Sequence, residues 1–363
     1  MTQRPLIIVC DWLPPAFGAV GQYEMARAEE ATRAGRTVTL IGLGDTASVE
    51  SRTMSTGHLT IVRIAAQAPD KANLVNRAAW AASQNTALLR AVGRVAKAGP
   101  SEIKVTGSPP FLSYQVLAWR AFHPQHAITY RVTDFYPETA FAAGKATVLK
   151  PITPLIHALR RGADRLEALS ECQLRRLVES GVPESKIEII RDASPVEFLS
   201  EQTAAPRPFD AGEIALLYSG NLGVAHEWES FAEAYRQHVL NGANRVRLWL
   251  NAGGVNAPAL KAYCQKHNLP IHASAPVPLD ELAGVLLAAD AHLILLGDPF
   301  WGYVFPSKTY ACLDSGRPCI FFGPEESDVH ALIKNDSRHA SIRHSDVDGA
   351  IAALERLAAV TGK

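Results

Sequence analysis

The chain has no Cys-x-x-Cys pair, no excess of either charge, and no apolar run approaching the roughly 20 residues that a membrane span needs. Its five cysteines, Cys10, Cys172, Cys264, Cys312 and Cys319, are scattered, so spacing excludes a zinc framework or a disulfide scaffold. They are expected to be reduced thiols of a cytosolic protein. The start, MTQRPLIIVC, lacks a charged region, an apolar core and a cleavage site in sequence, so secretion is not expected. Lys and Arg number 36, as do Asp and Glu, which argues against a nucleic-acid partner. The balance is uneven, however: residues 1–200 hold 23 basic against 18 acidic side chains, leaving 13 against 18 in the remainder. Such a basic half allows one face to meet an anionic membrane surface.

What is present is an alternation. β-branched runs at 6–10, 37–41, 60–64, 102–106, 127–132, 165–169 and 186–190 read as strands. Ala- and Leu-rich stretches at 22–34, 72–98, 111–121, 149–161 and 171–180 have helical spacing. The pattern lapses through SEQTAAPRPFDAGE and then restarts, with strands at 214–218, 247–250, near 271, 292–296 and 319–322, and helices at 227–240, 257–267, 279–288, 307–315 and 347–359. The expected architecture is α/β, two Rossmann-like doubly wound parallel-sheet domains facing a cleft. Residues 1–198 form the first, 199–212 the linker, 213–345 the second, and 346–363 a closing helix. In such sheets ligands sit beyond the carboxyl ends of strands, so the loops after strands are where chemistry belongs.

Four such loops stand out. DWLPPAFGAVGQY sets Gly18 and Gly21 between the first strand and first helix, where a ligand can approach the backbone. YRVTDFYPETAF sets Asp134 at a strand's end and Glu138 a turn later, two carboxylates able to orient or deprotonate a hydroxyl. A turn cap at Asp134 and a solvated Glu138 are the simpler alternatives. LLYSGNLGVAHEW offers Gly220, Asn221 and Gly223 as a phosphate cradle, with His226 as a further donor. In VFPSKTYACLDSGRP, Ser307 is expected to cap a helix, and Lys308 in its first turn is unfavourable beside the positive end of the helix dipole unless an anion sits there. In VLKPITPLIHALRR, Leu149, Ile152, Leu155, Ile156 and Leu159 with Lys150, Arg160 and Arg161 make either a surface amphipathic helix or one packed on the sheet.

The order of these motifs resembles nucleotide-sugar glycosyltransferases of the GT-B fold, nearest to the retaining family 4 enzymes of bacterial surface-polysaccharide assembly. The resemblance rests on PPAFGAVGQY, GSPPFLSYQVLA, RVTDFYPE, ADRLEALSECQLRRLVESGVPESKIEII, YSGNLGVAHEW and PSKTYACLDSGRPCIFFG, in that order. It implies a hexosyl or glycosyl transferase whose first domain binds a glycan or lipid-linked acceptor and whose second binds a nucleotide diphosphate sugar, the donor substrate. By the same carry-over, Asp134 is the active-site polar residue. Gly18 and Gly21 approach the diphosphate or sugar, Gly220, Asn221, Gly223 and His226 line the donor side, and Lys308 faces the phosphates. Neither a cofactor nor a metal is expected. Two departures mark the chain: Tyr303 and Ala311 stand where the family has two glutamates, and its usual Arg and Lys pair is missing from NLGVAHEWESFAEAY. A catalytically inert binding subunit and a sugar-nucleotide epimerase of the same fold are the alternatives.

Overall fold

The computed structural model describes residues 4–16, 19–67, 74–192, 194 and 196–359, and the side chains of these apart from residues 19 and 74–78. Two compact units divide it, Met1–Arg191 and Asp192–Lys363. Unit 1 runs β1 (Leu6–Trp12), α1 (Ala19–Arg33), β2 (Thr37–Gly44), β3 (Ser48–Met54), β4 (Gly57–Ala65), α2 (Leu74–Ala96), β5 (Glu102–Thr106), α3 (Leu112–Arg120), β6 (Ala127–Val132), α4 (Glu138–Ala142), α5 (Thr153–Arg161), β7 (Arg165–Ala168), α6 (Glu171–Glu179) and β8 (Ile187–Ile189). Its sheet has the order β3-β4-β2-β1-β5-β6-β7-β8. All neighbours are parallel except β3 and β4. β1 sits at the centre because LIIVC is apolar on both faces, and Leu6, Ile8 and Cys10 pack with Val38, Leu40, Leu59 and Ile61.

Two elements of unit 1 differ from the sequence expectation. β3 was not expected, because SVESRTM has no apolar alternation; it is a largely exposed edge strand, and Glu50 and Arg52 discourage further pairing there. The helix expected over 149–161 is broken. Pro151 lies in a 3-10 turn (Thr147–Ile152), and only Thr153–Arg161 is α-helical. Ile156 and Arg160 face inward, whereas Val148, Ile152 and Leu155 are exposed.

Unit 2 runs β9 (Ile214–Asn221), α7 (Glu229–Asn241), β10 (Val246–Gly253), α8 (Ala257–Lys266), β11 (Ile271–Ser274), α9 (Leu279–Ala288), β12 (Ala291–Leu295), α10 (Lys308–Asp314), β13 (Cys319–Phe322), α11 (Asp328–Ile333), β14 (Ala340–Ile342) and α12 (Val347–Ala359). Its sheet is parallel throughout, ordered β11-β10-β9-β12-β13-β14. The alternation along β9 divides the core: Ile214, Leu216 and Tyr218 enter one apolar cluster, Ala215 and Leu217 the other. The stretch expected as a linker packs on this unit, as do Val196 and Phe198 just before it, within the range expected for the first domain; Ala205 and Phe209 lie against the second cluster, and the Ala205 amide donates to the Gly284 carbonyl. Its prolines and small residues hid those few apolar anchors. All five cysteines are free, buried thiols.

Unit 1 also buries charge. Arg131 on β6 is 1 % exposed and lies directly across from Glu167 on β7, at 2.9 Å, with Glu24 of α1 at 3.3 Å. Lys104 on β5 completes the group at 2.5 Å from Glu167. Removing one partner of such a group strands the others in low dielectric. Arg131→Met should therefore lower unfolding free energy by about 3–5 kcal/mol, whereas a variant that also replaces Glu24 and Glu167 by Leu and Lys104 by Met should recover most of the loss. Urea denaturation of both proteins reads this, and a wild-type-like single variant would mean that water reaches the group.

Candidate functional site

Each sheet reverses its strand order at one place, between β1 and β5 in unit 1 and between β9 and β12 in unit 2. A crevice opens there at the carboxyl edge. In unit 2 that edge gathers Tyr218, Gly220, His226 and Lys308. The Lys308 Nζ lies 3.1 Å from the centroid of the Tyr218 ring, and it is enclosed with no hydrogen-bond partner. Gly220 has φ +112°, a left-handed conformation that favours glycine; a Cβ on it would stand 4.0 Å from the same amine. Burial pushes the lysine down to about 7, only partly opposed by the Cys312 thiol. Enclosure, with the lysine's charge adding to it, takes His226 down to about 3. His226 Nδ1 stands 3.0 Å from the Gly223 N–H and 3.3 Å from the Gly223 carbonyl; in the tautomer that accepts the nearer N–H, the neutral ring carries its proton on Nε2 as a donor.

One expectation about this segment is corrected. Ser307 has helical φ and ψ and makes no side-chain cap, and α10 is only seven residues long. The cost of Lys308 therefore comes from lost hydration of the amine, not from a helix dipole. Ala311, where the family carries a glutamate, is buried in the second apolar cluster of unit 2, so a carboxylate there would have no water. The chain's one Asp-x-Asp, Asp346-Val347-Asp348, opens α12, where Asp346 accepts the Gly349 amide at 2.9 Å.

Beside the lysine group is a pocket of about 380 Å³, lined by the loops after β9, β10, β12 and β14. His344 Nδ1 stands 2.5 Å from Glu227 and its Nε2 2.9 Å from the Leu296 carbonyl. Burial alone would lower His344, but the Glu227 carboxylate outweighs it and holds the imidazole above its ordinary value. Asp298 lines the same pocket, 3.8 Å from His344. Asn256 donates to the Gly223 and His226 carbonyls, at 3.1 and 3.2 Å, fixing the loop that carries Asn221 and Gly223. The sequence motifs did not single out Glu227, His344 or Asn256, because nothing short-range links Glu227 to His344, 117 positions on, or to Asn256, 29 positions on.

In unit 1, Asp11 at the end of β1 accepts the Ser108 hydroxyl at 2.6 Å, across the β1–β5 reversal. Its other oxygen, and the Thr133 hydroxyl, are buried without a partner. Asp134 follows at the end of β6, pushed up to about 6 by burial and then by the negative charge of Asp11. Glu138 is engaged differently: Arg160, fully buried, donates to both its oxygens at 3.0 and 3.1 Å, and His157 adds a contact at 3.2 Å. Burial raises a carboxyl, but here Arg160 wins and Glu138 stays below its usual range. Gly21 also has a local explanation: a Cβ there would stand 1.8 Å from the Trp12 carbonyl oxygen, so α1 reaches β1 only through a glycine. That bare face is turned into the fold and not toward a ligand. Gly18 lies outside the described residues.

No family model and no curated protein matches the chain. Among solved structures it is similar to sucrose-phosphate synthase from Thermosynechococcus elongatus, with 14 % identity, 99 % of this chain and 90 % of that chain covered, and TM-score 0.70. It is similar to a trehalose-6-phosphate structure from E. coli bound with UDP-2-fluoro glucose, at 11 % identity, 98 % and 91 % coverage, and TM-score 0.69. A third is WaaG, a glycosyltransferase involved in lipopolysaccharide biosynthesis, at 11 % identity, 97 % and 90 % coverage, and TM-score 0.63. At such identities the likeness carries the fold, and that fold is GT-B.

The enclosed lysine has a measurable cost. Between about 7 and the ordinary lysine value the folded chain binds fewer protons than the unfolded one, so this group makes stability rise with pH across that window. Below it both states hold the proton and the full cost of enclosure remains. Lys308→Met should thus stabilise the protein by about 1–3 kcal/mol in mildly acidic buffer, with the gain shrinking toward strongly alkaline pH. Urea denaturation at the two extremes checks it, and a gain independent of pH would show that the amine is hydrated.

Proposed function

We propose that the chain is a glycosyltransferase that moves a sugar from a nucleotide diphosphate sugar to a glycan or lipid-linked acceptor in surface-polysaccharide assembly. In this reading unit 2 holds the donor and unit 1 the acceptor, no metal takes part, and the anomeric configuration is retained. The observation that carries it is the unpartnered Lys308 amine beside the bare backbone of Gly220 at the β9–β12 reversal. A leaving nucleoside diphosphate gains negative charge in the transition state, and a preorganised cation in a water-poor site meets that charge. His226 Nε2 and the backbone of Asn221 and Gly223 supply further donors. With Ala311 in the core, Glu227, Asp298 and His344 are the polar groups left to hold the nucleoside hydroxyls.

On the acceptor side, Asp134 receives the reacting hydroxyl, with Asp11, Ser108 and Thr133 orienting it. For the configuration to be retained in one displacement, the hydroxyl oxygen bonds to the anomeric carbon on the same face from which the phosphate oxygen departs, as the bond from that carbon to the phosphate oxygen breaks. The hydroxyl proton passes to Asp134 and the electron pair leaves with the diphosphate. Glu138 acts at one remove: paired with Arg160, it fixes the turn that presents Asp134. Peripheral contact with an anionic membrane belongs to the same reading, supported by exposed Val148, Ile152 and Leu155 near Lys145 and Lys150.

Two experiments divide the claim between the halves. A bound diphosphate should return the Lys308 amine toward its ordinary value, so at mildly alkaline pH a nucleoside diphosphate should bind with uptake of up to about one proton. Calorimetry in buffers of differing ionisation enthalpy reads this. Lys308→Met should abolish the uptake and weaken binding by about 1.5–3 kcal/mol, and equal affinities would remove the lysine from the phosphate site.

Release of nucleoside diphosphate from a panel of nucleotide sugars, with and without acceptor, tests the other half. Asp134→Asn should lower turnover by at least about 100-fold and leave nucleotide affinity intact. Since Asp134 must be ionised to accept a proton, activity should rise with pH through about 6, and Asp11→Asn should move that limb to lower pH. Tight binding with no release from any sugar nucleotide would make the chain a binding subunit instead.

A further inference from the structure

Unit 1 holds a second cavity, of about 690 Å³, unrelated to the β1–β5 reversal. It lies where α2 ends and where β5 and β6 begin, at the amino edge of the sheet. Among its lining side chains are Arg90, Arg94, Lys97, Trp119, His123 and His126, and among the described residues no carboxylate lines it. The sequence underlies this, since no Asp or Glu occurs between Asp70 and Glu102 while Lys71, Arg77, Arg90, Arg94 and Lys97 do. Arg90 and Arg94 are four apart on α2 and Arg94 and Lys97 three, the spacings at which like charges repel. The negative end of the helix dipole offsets the last two, but Arg90 lies more than a turn further in.

The cavity is lined by donors. His126 Nδ1 accepts the Ser101 amide at 3.2 Å, which leaves its proton on Nε2. His123 stacks on the Trp119 indole, ring centroids 4.0 Å apart and planes 13° from parallel, giving the cavity a flat aromatic wall. Gly93 stands in the last turn of α2, still within the helix, where glycine is a poorer helix former than alanine. A Cβ there would meet only the Trp119 Nε1, at 3.9 Å, so packing within the fold does not require the glycine. Its absence of side chain instead keeps the cavity open.

We infer that this cavity is a binding site for a phosphate ester of metabolite size, separate from the donor and acceptor groups, with Arg90, Arg94 and Lys97 on the phosphate and the Trp119–His123 wall against the remainder. The volume is that of small-molecule sites. Arginine forks and a lysine amine suit a phosphate better than a carboxylate-free cavity suits any cation. A soluble phosphorylated compound and a phospholipid headgroup share this chemistry, and Phe122, 85 % exposed next to His123, makes the second source worth a separate arm.

The test uses the full chain carrying Lys308→Met, so that the donor group cannot supply the signal, and inorganic pyrophosphate as the probe. Calorimetry should show one site, weakened at least about tenfold by Arg90→Gln with Arg94→Gln. Gly93→Met, which fills the cavity without altering charge, should weaken it as much, with circular dichroism melting confirming that both variants fold. No binding in the parent, or equal affinity in all three chains, overturns the proposal. Sedimentation with vesicles of equal parts phosphatidylglycerol and phosphatidylcholine separates the sources. Pelleting lost with the arginines identifies a lipid headgroup, whereas unchanged pelleting with lost pyrophosphate binding identifies a soluble phosphate ester.

Discussion

An ammonium enclosed without a counter-ion is the constraint on which the donor half depends. Around Lys308 three neighbours suit a positive charge that no hydrogen-bond partner meets among the described residues. The Tyr218 ring offers its negative face at 3.1 Å, His226 is kept neutral and so does not repel, and Gly220 keeps side chains away from the amine. Folding alone would favour an aliphatic side chain at this place, because the enclosed amine loses hydration and gains only a ring in exchange. The arrangement becomes favourable when an anion enters.

The chain is able to pair its buried charges, which sharpens the contrast. Arg131 has Glu167 and Glu24, and Arg160 has both oxygens of Glu138. These groups pair charge with charge and hold elements together, although Glu24 Oε2 and Arg160 Nε find no hydrogen-bond partner among the described residues. The unsatisfied atoms at the two carboxyl edges are of another kind: the Lys308 amine, one oxygen of Asp11 and the Thr133 hydroxyl lie at the strand-order reversals or on the loops beside them. Unpartnered atoms occur elsewhere too, as at Arg36 and Gln173, so what marks these three is their place, at the strand ends where α/β sheets take ligands. Glu138 shows the distinction at work. It stands four residues from Asp134, yet one carboxyl is tied by an arginine and the other is raised by a neighbouring carboxylate.

Much of the fold is legible in local pattern. The runs 102–106, 127–132 and 319–322 coincide with β5, β6 and β13, because their β-branched and aromatic residues mark a strand without its partners. Two of the four edge strands do not announce themselves, although β8 and β11 do: β3 is mostly polar, and β14 is three residues long. Within the site, Lys308 and the Gly220 loop were legible because their residue types are unusual for their positions. Asp11 was not, since its meaning comes from Ser108, 97 residues on, and Asp134 further still. The role of Glu138 likewise depends on Arg160, 22 residues later and on another helix. Charge partners chosen by tertiary contact leave no periodic trace.

The cost carried by Lys308 and the affinity expected of it have one origin. A solvent-exposed lysine must shed its water before it meets a phosphate, and much of the Coulomb gain is lost in that exchange. Lys308 has already lost that water on folding, and its position against Tyr218 is fixed before any ligand arrives. An incoming diphosphate then gains the interaction without dehydrating the amine or ordering its chain. The same reasoning accounts for Ala311. A glutamate on that face of α10 would lie one turn from the lysine within the apolar cluster, would neutralise the amine inside the fold, and would remove the unbalanced charge that a phosphate could meet. Placing the carboxylates on the opposite wall, at Glu227 and Asp298, keeps polar groups in the pocket while leaving the lysine unpaired.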